Sequence, residues 1–320
     1  MYVLDGEYNA AFTSEAVTIL TDNEKMPPSL VIGIVSNNRN RDFTTAGDKG
    51  WQPPQETPSA GGADKFLDYL EKELLPYVEK NYRTHPFRIM AGHSLGGLLA
   101  IHCFSSRPAL FKAYIALESS LWWNNGSVGN EMISFLKAHP GYKGKLFVGR
   151  IQMPRSYWFP INVTVVDYLE KSRPPGLEYT YMEIDKEEHA TMVFPATYFG
   201  LRDIFSDYYF VMEAKPDEKA IMSYYANLSA KWGYPVKVPQ QELASLWNVA
   251  QDEKKYTDAI RFGELTIANY PNSARAYMSL GTTYMKMNNK EMAVKMLSRS
   301  LELNPRNESV KQMLNDLGKK

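Results

Sequence analysis

Ser94 and His189 are the two residues whose types and settings point to bond-breaking chemistry. Ser94 lies in Gly92-His93-Ser94-Leu95-Gly96, a G-x-S-x-G pattern. Before it, Arg88-Ile89-Met90-Ala91 predicts a short buried strand; after it, Gly97 to Phe104 predicts a buried helix. Strand, sharp turn and helix, in that order, form the setting in which this pattern holds a serine hydroxyl out at the carboxyl end of a sheet. Gly92 and Gly96 lack side chains, so strand and helix can approach around the bend. The helix N-terminus then aims free N–H groups at the serine, which favours an anionic intermediate. The competing reading is a glycine-rich turn with an idle serine.

A serine hydroxyl is a weak nucleophile near neutral pH and needs a base. His189 follows the last predicted strand and lies downstream of Ser94, the chain order in which this arrangement supplies its base. The competing reading is a solvated loop histidine. His93 is too close in sequence to reach back to the Ser94 hydroxyl, His102 reads as a packed core residue, and His85 and His139 precede prolines in turns. The first candidate for an orienting acid is Glu118, at the end of the strand after the elbow helix. The second reading is a Ser94–His189 dyad with no acid. Asp185, Glu187 and Glu188 rank third, being too near His189 in sequence to orient it. The stretch Gly149 to Arg155, where an acid is also sought, holds no carboxylate.

An oxyanion hole needs two backbone donors. Leu95, after the serine, is expected to give one, and the Gly6-Glu7 turn after the first strand the other. Arg41, Trp122 and Trp123 are candidate pocket residues. The alternatives are a solvated loop for Arg41 and capping of the core for the tryptophans. No metal-ligand set and no phosphate-cradling glycine motif is visible, so no cofactor is expected.

These residues need a scaffold, and the chain supplies one. Tyr2-Val3-Leu4, Ser29 to Val35, Ala113 to Leu117, Lys145 to Gly149 and Tyr179 to Ile184 predict further strands. Between them, Ala10 to Asp22, Asp64 to Tyr82 and Val163 to Lys171 predict helices. That alternation predicts an α/β fold with a mostly parallel sheet, whose ligands sit outside the carboxyl ends of the strands. Ser36 to Gly62 reads as a long polar loop of the functional kind.

Beyond residue 212 the character changes. Residues 213–239 read as a linker, and 240–320 as helical repeats. Ala259 and Ala293 stand 34 residues apart, as do Pro271 and Pro305; Tyr277, Leu280, Gly281 and Tyr284 complete a tetratricopeptide spacing. Trp247 stands where the first copy should carry a small residue. The repeats are expected to dock on the catalytic domain or to bind a protein partner.

The 320 residues carry 36 basic and 36 acidic side chains, so nothing favours a polyanionic partner such as nucleic acid. No apolar run is long enough for a membrane span. Cys103, the one cysteine, reads as a buried small hydrophobe. Met1 to Gly6 opens inside a core strand with no basic leader, so upstream strands are expected. The compartment stays open: cytoplasmic as written, or exported by a signal upstream.

Taken together, residues 1–210 resemble the esterase family of α/β-hydrolases that takes in esterase D, enterochelin-type siderophore esterases and mycolyltransferases. The matching stretches are Tyr2 to Gly6, Arg39 to Thr45, Gly61 to Phe66, Gly92 to Gly97, Ser119 to Trp123 and Glu187 to His189. The siderophore-esterase-like branch is the most similar. Family members begin with strands before the one at Tyr2, and some siderophore esterases are thought to use a Ser–His dyad. The resemblance implies an α/β-hydrolase domain over residues 1–212 that hydrolyses a small-molecule ester. It leaves the substrate open among small acyl esters, catecholate lactones and acyl transfer. A second reading is a non-catalytic platform for the repeats; a third is an acyltransferase of the same family.

Overall fold

The computed structural model describes residues 1–48, 51–52, 59–210 and 217–318. It divides into two units, Met1–Tyr209 and Phe210–Lys320. The boundary expected at residue 212, the start of the linker and part of the Ser36–Gly62 loop lie outside the described residues.

In the first unit, six parallel strands form one sheet in the order β2-β1-β3-β4-β5-β6. They are β1 Tyr2–Leu4, β2 Ile32–Ile34, β3 Ile89–His93, β4 Ala113–Leu117, β5 Gly144–Ile151 and β6 Leu177–Ile184. The helices are α1 Gly6–Asp22, α2 Arg39–Asp42, α3 Ala63–Tyr69, α4 Leu75–Asn81, α5 Leu95–Ser106, α6 Ser127–Ala138, α7 Pro160–Ser172 and α8 Val193–Ile204. A π-helical turn, Leu70–Leu74, joins α3 to α4, so the helix expected over 64–82 carries a bulge. Helices α6 and α8 have no counterpart in the sequence reading.

The sheet core explains its own sequence. Every residue of β4, Ala113-Tyr114-Ile115-Ala116-Leu117, is buried, as a strand with neighbours on both sides and helices on both faces must be. Helix α5 is buried from Leu95 to Phe104 and packs beneath the site. Leu98, Leu99, Ile101 and Phe104 each contribute roughly 1.5–3 kcal/mol by leaving water. Cys103 is buried among them, and burial pushes its thiol up to about 12, which leaves it inert.

The strand order decides where a ligand can sit. From β1 the chain steps outward to β2, then returns to lay β3 on the opposite side of β1. From β3 it runs on to β4, β5 and β6. The direction of winding therefore reverses between β1 and β3, which opens a crevice at their carboxyl ends.

The second unit is helical. Residues 213–239, expected as a linker, contain α9, Glu218–Trp232, which buries Ile221, Tyr225, Leu228 and Trp232. Next come α10 Gln240–Asp252, α11 Tyr256–Asn269, α12 Ala274–Lys286, α13 Lys290–Leu303 and α14 Glu308–Gly318. The small residues act where repeat spacing puts them. A Cβ on Gly281 would lie 2.6 Å from Leu297 Cγ, and one on Gly263 the same distance from Leu280 Cγ. Trp247, out of place for the motif, donates its indole N–H to Thr283 Oγ1 at 3.1 Å, linking α10 to α12.

Candidate active site

The crevice receives Ser94 directly from the end of β3. Ser94 has φ 58° and ψ −115°, a strained backbone for a residue with a side chain. Its surroundings hold it there. The Ser94 N–H donates to Leu117 O at 2.9 Å, and Ser94 O accepts from the N–H of Ser120 at 3.1 Å. The turn tolerates no side chain on its inner side, because a Cβ on Gly92 would lie 2.3 Å from Gly96 O. Gly97 is equally constrained, with Leu117 O 2.9 Å from where its Cβ would be.

Two helix N-termini converge on the switch point. Ser94 is the N-cap of α5, so Leu95 N–H lies in its first turn. Helix α1 starts at Gly6, so Gly6 and Glu7 supply the first N–H groups of a 17-residue helix. First-turn N–H groups have no partner within their own helix and favour negative charge. Gly6 must be glycine: a Cβ there would lie 2.5 Å from the Gly33 backbone. Asp5, buried and with φ 52°, ties the β1–α1 turn down through Arg39, whose Nε and Nη2 reach its two oxygens at 2.8 and 3.0 Å.

The candidate histidine and the candidate acid follow strands on the far side of Ser94. His189 follows β6, is about half exposed, and has its Nδ1 3.5 Å from Glu118 Oε2. Glu118 follows β4 with φ 41°, and its N–H is anchored to Gly149 O at 2.9 Å. Burial alone would raise the Glu118 carboxyl; His189, the Arg150 charge and the Ile151 N–H outweigh it and hold the group below the usual carboxylate range. The His189 ring also packs on His93, centroids 4.4 Å apart and planes at 47°. Burial, together with the neighbouring His189, pushes His93 down to about 4, so it is neutral at physiological pH. His189 thus lies against the residue next to the serine.

Three contributors escaped the sequence reading. Ser120 Oγ lies 3.3 Å from Ser94 Oγ. Arg150, on β5, brings Nε to 3.0 Å from Glu118 Oε1. His93 serves as the packing partner of His189. No signal marks Arg150 as special, because an arginine in a β-strand usually faces solvent.

The expected pocket residues fare unevenly. Trp123 is fully buried, donates its indole N–H to Thr45 O at 3.0 Å and stacks edge-on against Trp51. It caps the core, so the pocket assignment for Trp123 is corrected. Trp122 is partly exposed and lies 6.0 Å from the exposed Phe159 ring, a geometry compatible with a pocket wall. Arg41 turns to its neighbour, Nε to Asp42 Oδ1 at 2.7 Å. His102, expected in the core, is buried but ion-paired: Nε2 is 2.9 Å from Asp64 and Nδ1 3.7 Å from Glu131. Among the described residues, no group of three or more His, Cys, Asp or Glu could hold a metal, and no helix is long and apolar enough to cross a membrane.

A parallel sheet that reverses its winding beside an elbow serine is the plan of an α/β-hydrolase, and the first unit is one. Residues 1–144 match the family model described as "Putative esterase", and residues 274–307 match the tetratricopeptide repeat. The siderophore enterobactin esterase of Emericella nidulans is 29% identical over 208 residues, covering 59% of this chain and 68% of that one. The ferri-bacillibactin esterase BesA of Bacillus subtilis is 34% identical over 139 residues, covering 39% of this chain; the match spans about half, 48%, of BesA. A solved IroE-like serine hydrolase from Shewanella oneidensis is 27% identical with a TM-score of 0.69, covering 82% of this chain and 87% of that one.

Proposed function

We propose that the first unit hydrolyses carboxylic esters through an acyl-enzyme on Ser94. His189 takes the hydroxyl proton as Ser94 attacks the ester carbonyl, then returns it to the leaving alcohol. The N–H groups of Leu95 and of Gly6 or Glu7 hold the oxyanion between two helix N-termini. Glu118 orients the imidazole and balances the imidazolium. Water, activated by the same His189, clears the acyl group. The observation that supports this reading is the elbow backbone of Ser94 together with a Glu118–His189 pair at 3.5 Å whose imidazole packs on His93, the residue before the serine.

The substrate class follows from the relatives. Their names specify siderophore esters, and we infer a polyfunctional ester of that kind as the substrate. The tetratricopeptide repeat in the second unit suits a protein partner. The test compares wild type with Ser94→Ala on p-nitrophenyl butyrate and on a catecholate trilactone. The expectation is turnover of both, lost by about 10⁴-fold or more in the variant. Equal turnover by Ser94→Ala would refute the nucleophile; turnover of the simple ester alone would refute the substrate class.

A further inference from the structure

In sheets of this type the orienting acid commonly stands after the strand that here is β5, yet Gly149 to Arg155 carries no carboxylate. The acid candidate, Glu118, is instead one strand nearer the serine, on β4. What β5 supplies is a cation. Strands β4 and β5 pair in parallel with Leu117 opposite Gly149, so Glu118 and Arg150 each follow a paired residue. Arg150 Nε lies 3.0 Å from Glu118 Oε1, and both side chains are about nine-tenths buried. The N–H of Arg150 does not point at that oxygen, so the contact is an ion pair without a hydrogen bond. On its other side the guanidinium stacks on the buried Trp158 ring, 4.4 Å from its centroid. An arginine held this way has little freedom to leave the carboxylate.

Resting on the reading of Ser94, His189 and Glu118 given above, we propose that Arg150 is a positioning residue for the Glu118–His189 pair. It occupies one carboxylate oxygen, leaving the other for His189. It also lets a carboxylate remain ionised where burial would otherwise favour the protonated form. A neutral Glu118 could neither accept from the imidazole Nδ1–H with full strength nor balance the imidazolium. Arg150 would thus let a glutamate on β4 do the work of an acid on β5.

The other charged groups around this pair come from several elements. His93 on β3 faces His189 and is held neutral. Asp5, after β1, adds negative potential at His93. On β6, Glu183 stands opposite Arg150 in register and accepts from Tyr181 OH. Arg155 lies over the Trp158 ring at 5.3 Å but is engaged by Asp167. The His189 turn adds Asp185, Lys186, Glu187 and Glu188. Arg150 is the cation in direct contact with the Glu118 carboxylate among the described ion pairs.

The test is the pH profile of kcat/KM for p-nitrophenyl butyrate in the full chain, for wild type, Arg150→Met, Arg150→Lys and Glu118→Gln. Removing the cation disfavours the carboxylate and favours the imidazolium, so the acidic limb of Arg150→Met should move up by about one pH unit. Its plateau should fall by about tenfold or more. Arg150→Lys should keep the limb near the wild-type position. If Arg150→Met does not fold, Arg150→Gln repeats the measurement. A neutral variant with the wild-type limb and plateau, alongside an impaired Glu118→Gln, overturns the role of Arg150 and leaves the acid standing. An Arg150→Lys limb displaced as far as that of Arg150→Met also overturns it. A Glu118→Gln enzyme equal to wild type overturns the acid itself, and this inference with it.

Discussion

Ser94 and Ser120 grip each other twice: the Ser120 N–H donates to the Ser94 carbonyl at 3.1 Å, and their hydroxyls lie 3.3 Å apart. The backbone contact fixes the elbow, while the hydroxyl contact gives the Ser94 side chain a resting partner. Ser120→Ala keeps the first and removes the second. One hydrogen bond is worth about 1 kcal/mol, so kcat/KM should fall by only about fivefold. A loss as large as that of Ser94→Ala, in steady-state assays of the folded variant, would show that the resting-partner role is wrong.

The elbow itself is a stability element. A Cβ on Gly92 would sit 2.3 Å from the carbonyl oxygen of Gly96, which is backbone and cannot swing aside. Gly92→Ala should therefore cost about 3 kcal/mol or more, visible as a large drop in Tm. An alanine variant melting within a degree or two of wild type would mean that strand and helix can separate freely at this bend.

Two histidines, His102 buried and His93 half-buried, should give stability opposite pH dependences. Burial lowers His102, but Glu131 and Asp64 outweigh it and leave the group raised. A raised histidine adds stability that is complete below its unfolded pKa and is lost as pH rises through the folded value. His102→Asn should thus cost more Tm at pH 5.5 than at pH 9. His93 is depressed to about 4 by burial and by His189. Its stability contribution is present above the unfolded pKa, about 6.5, and is lost as pH falls toward 4. His93→Gln should flatten the acid side of the Tm profile. Parallel profiles for wild type and both variants would contradict these signs.

In the repeats, Gly281 lets α12 approach α13 over Leu297. Gly281→Ala should force these helices apart and destabilise the second unit by about 1–3 kcal/mol, read by denaturant unfolding of the full chain. Ester turnover by the first unit offers an internal control, expected to change little. An unaltered unfolding curve would show that the helix pair has slack at this contact.

Much of this was legible in the residues, for identifiable reasons. Runs such as Ala113 to Leu117 announce central parallel strands, because only a strand buried on both faces is apolar throughout. Glycine spacing announced the elbow, and the 34-residue spacing of Ala259 and Ala293 and of Pro271 and Pro305 announced the repeat. Helix α8 was harder to read, since Pro195 and Gly200 look like breakers. Pro195 falls in its first turn, where no N–H is needed, and Gly200 lets it approach Ile115 and Phe147 on the sheet. Helix α9 was hidden by the polar, proline-bounded composition of its surroundings. Among the candidate site residues, Ser94, Glu118 and His189 stand after strand ends, a placement that a chain of alternating strands and helices displays. Arg150 and Ser120 are not marked in this way, because their roles arise from register between strands, which no single segment carries. Trp123 shows the reverse: an aromatic beside the site that its own packing turned into the core.

The acyl-enzyme is the central claim, and intact-mass spectrometry tests it most directly. After brief exposure to a fluorophosphonate, the wild-type chain should gain one adduct, mapped by peptide sequencing to Ser94. Ser94→Ala should gain none, and His189→Ala should react far more slowly. A folded wild-type chain that stays unlabelled at Ser94, or one that labels equally fast without the His189 imidazole, would contradict the account.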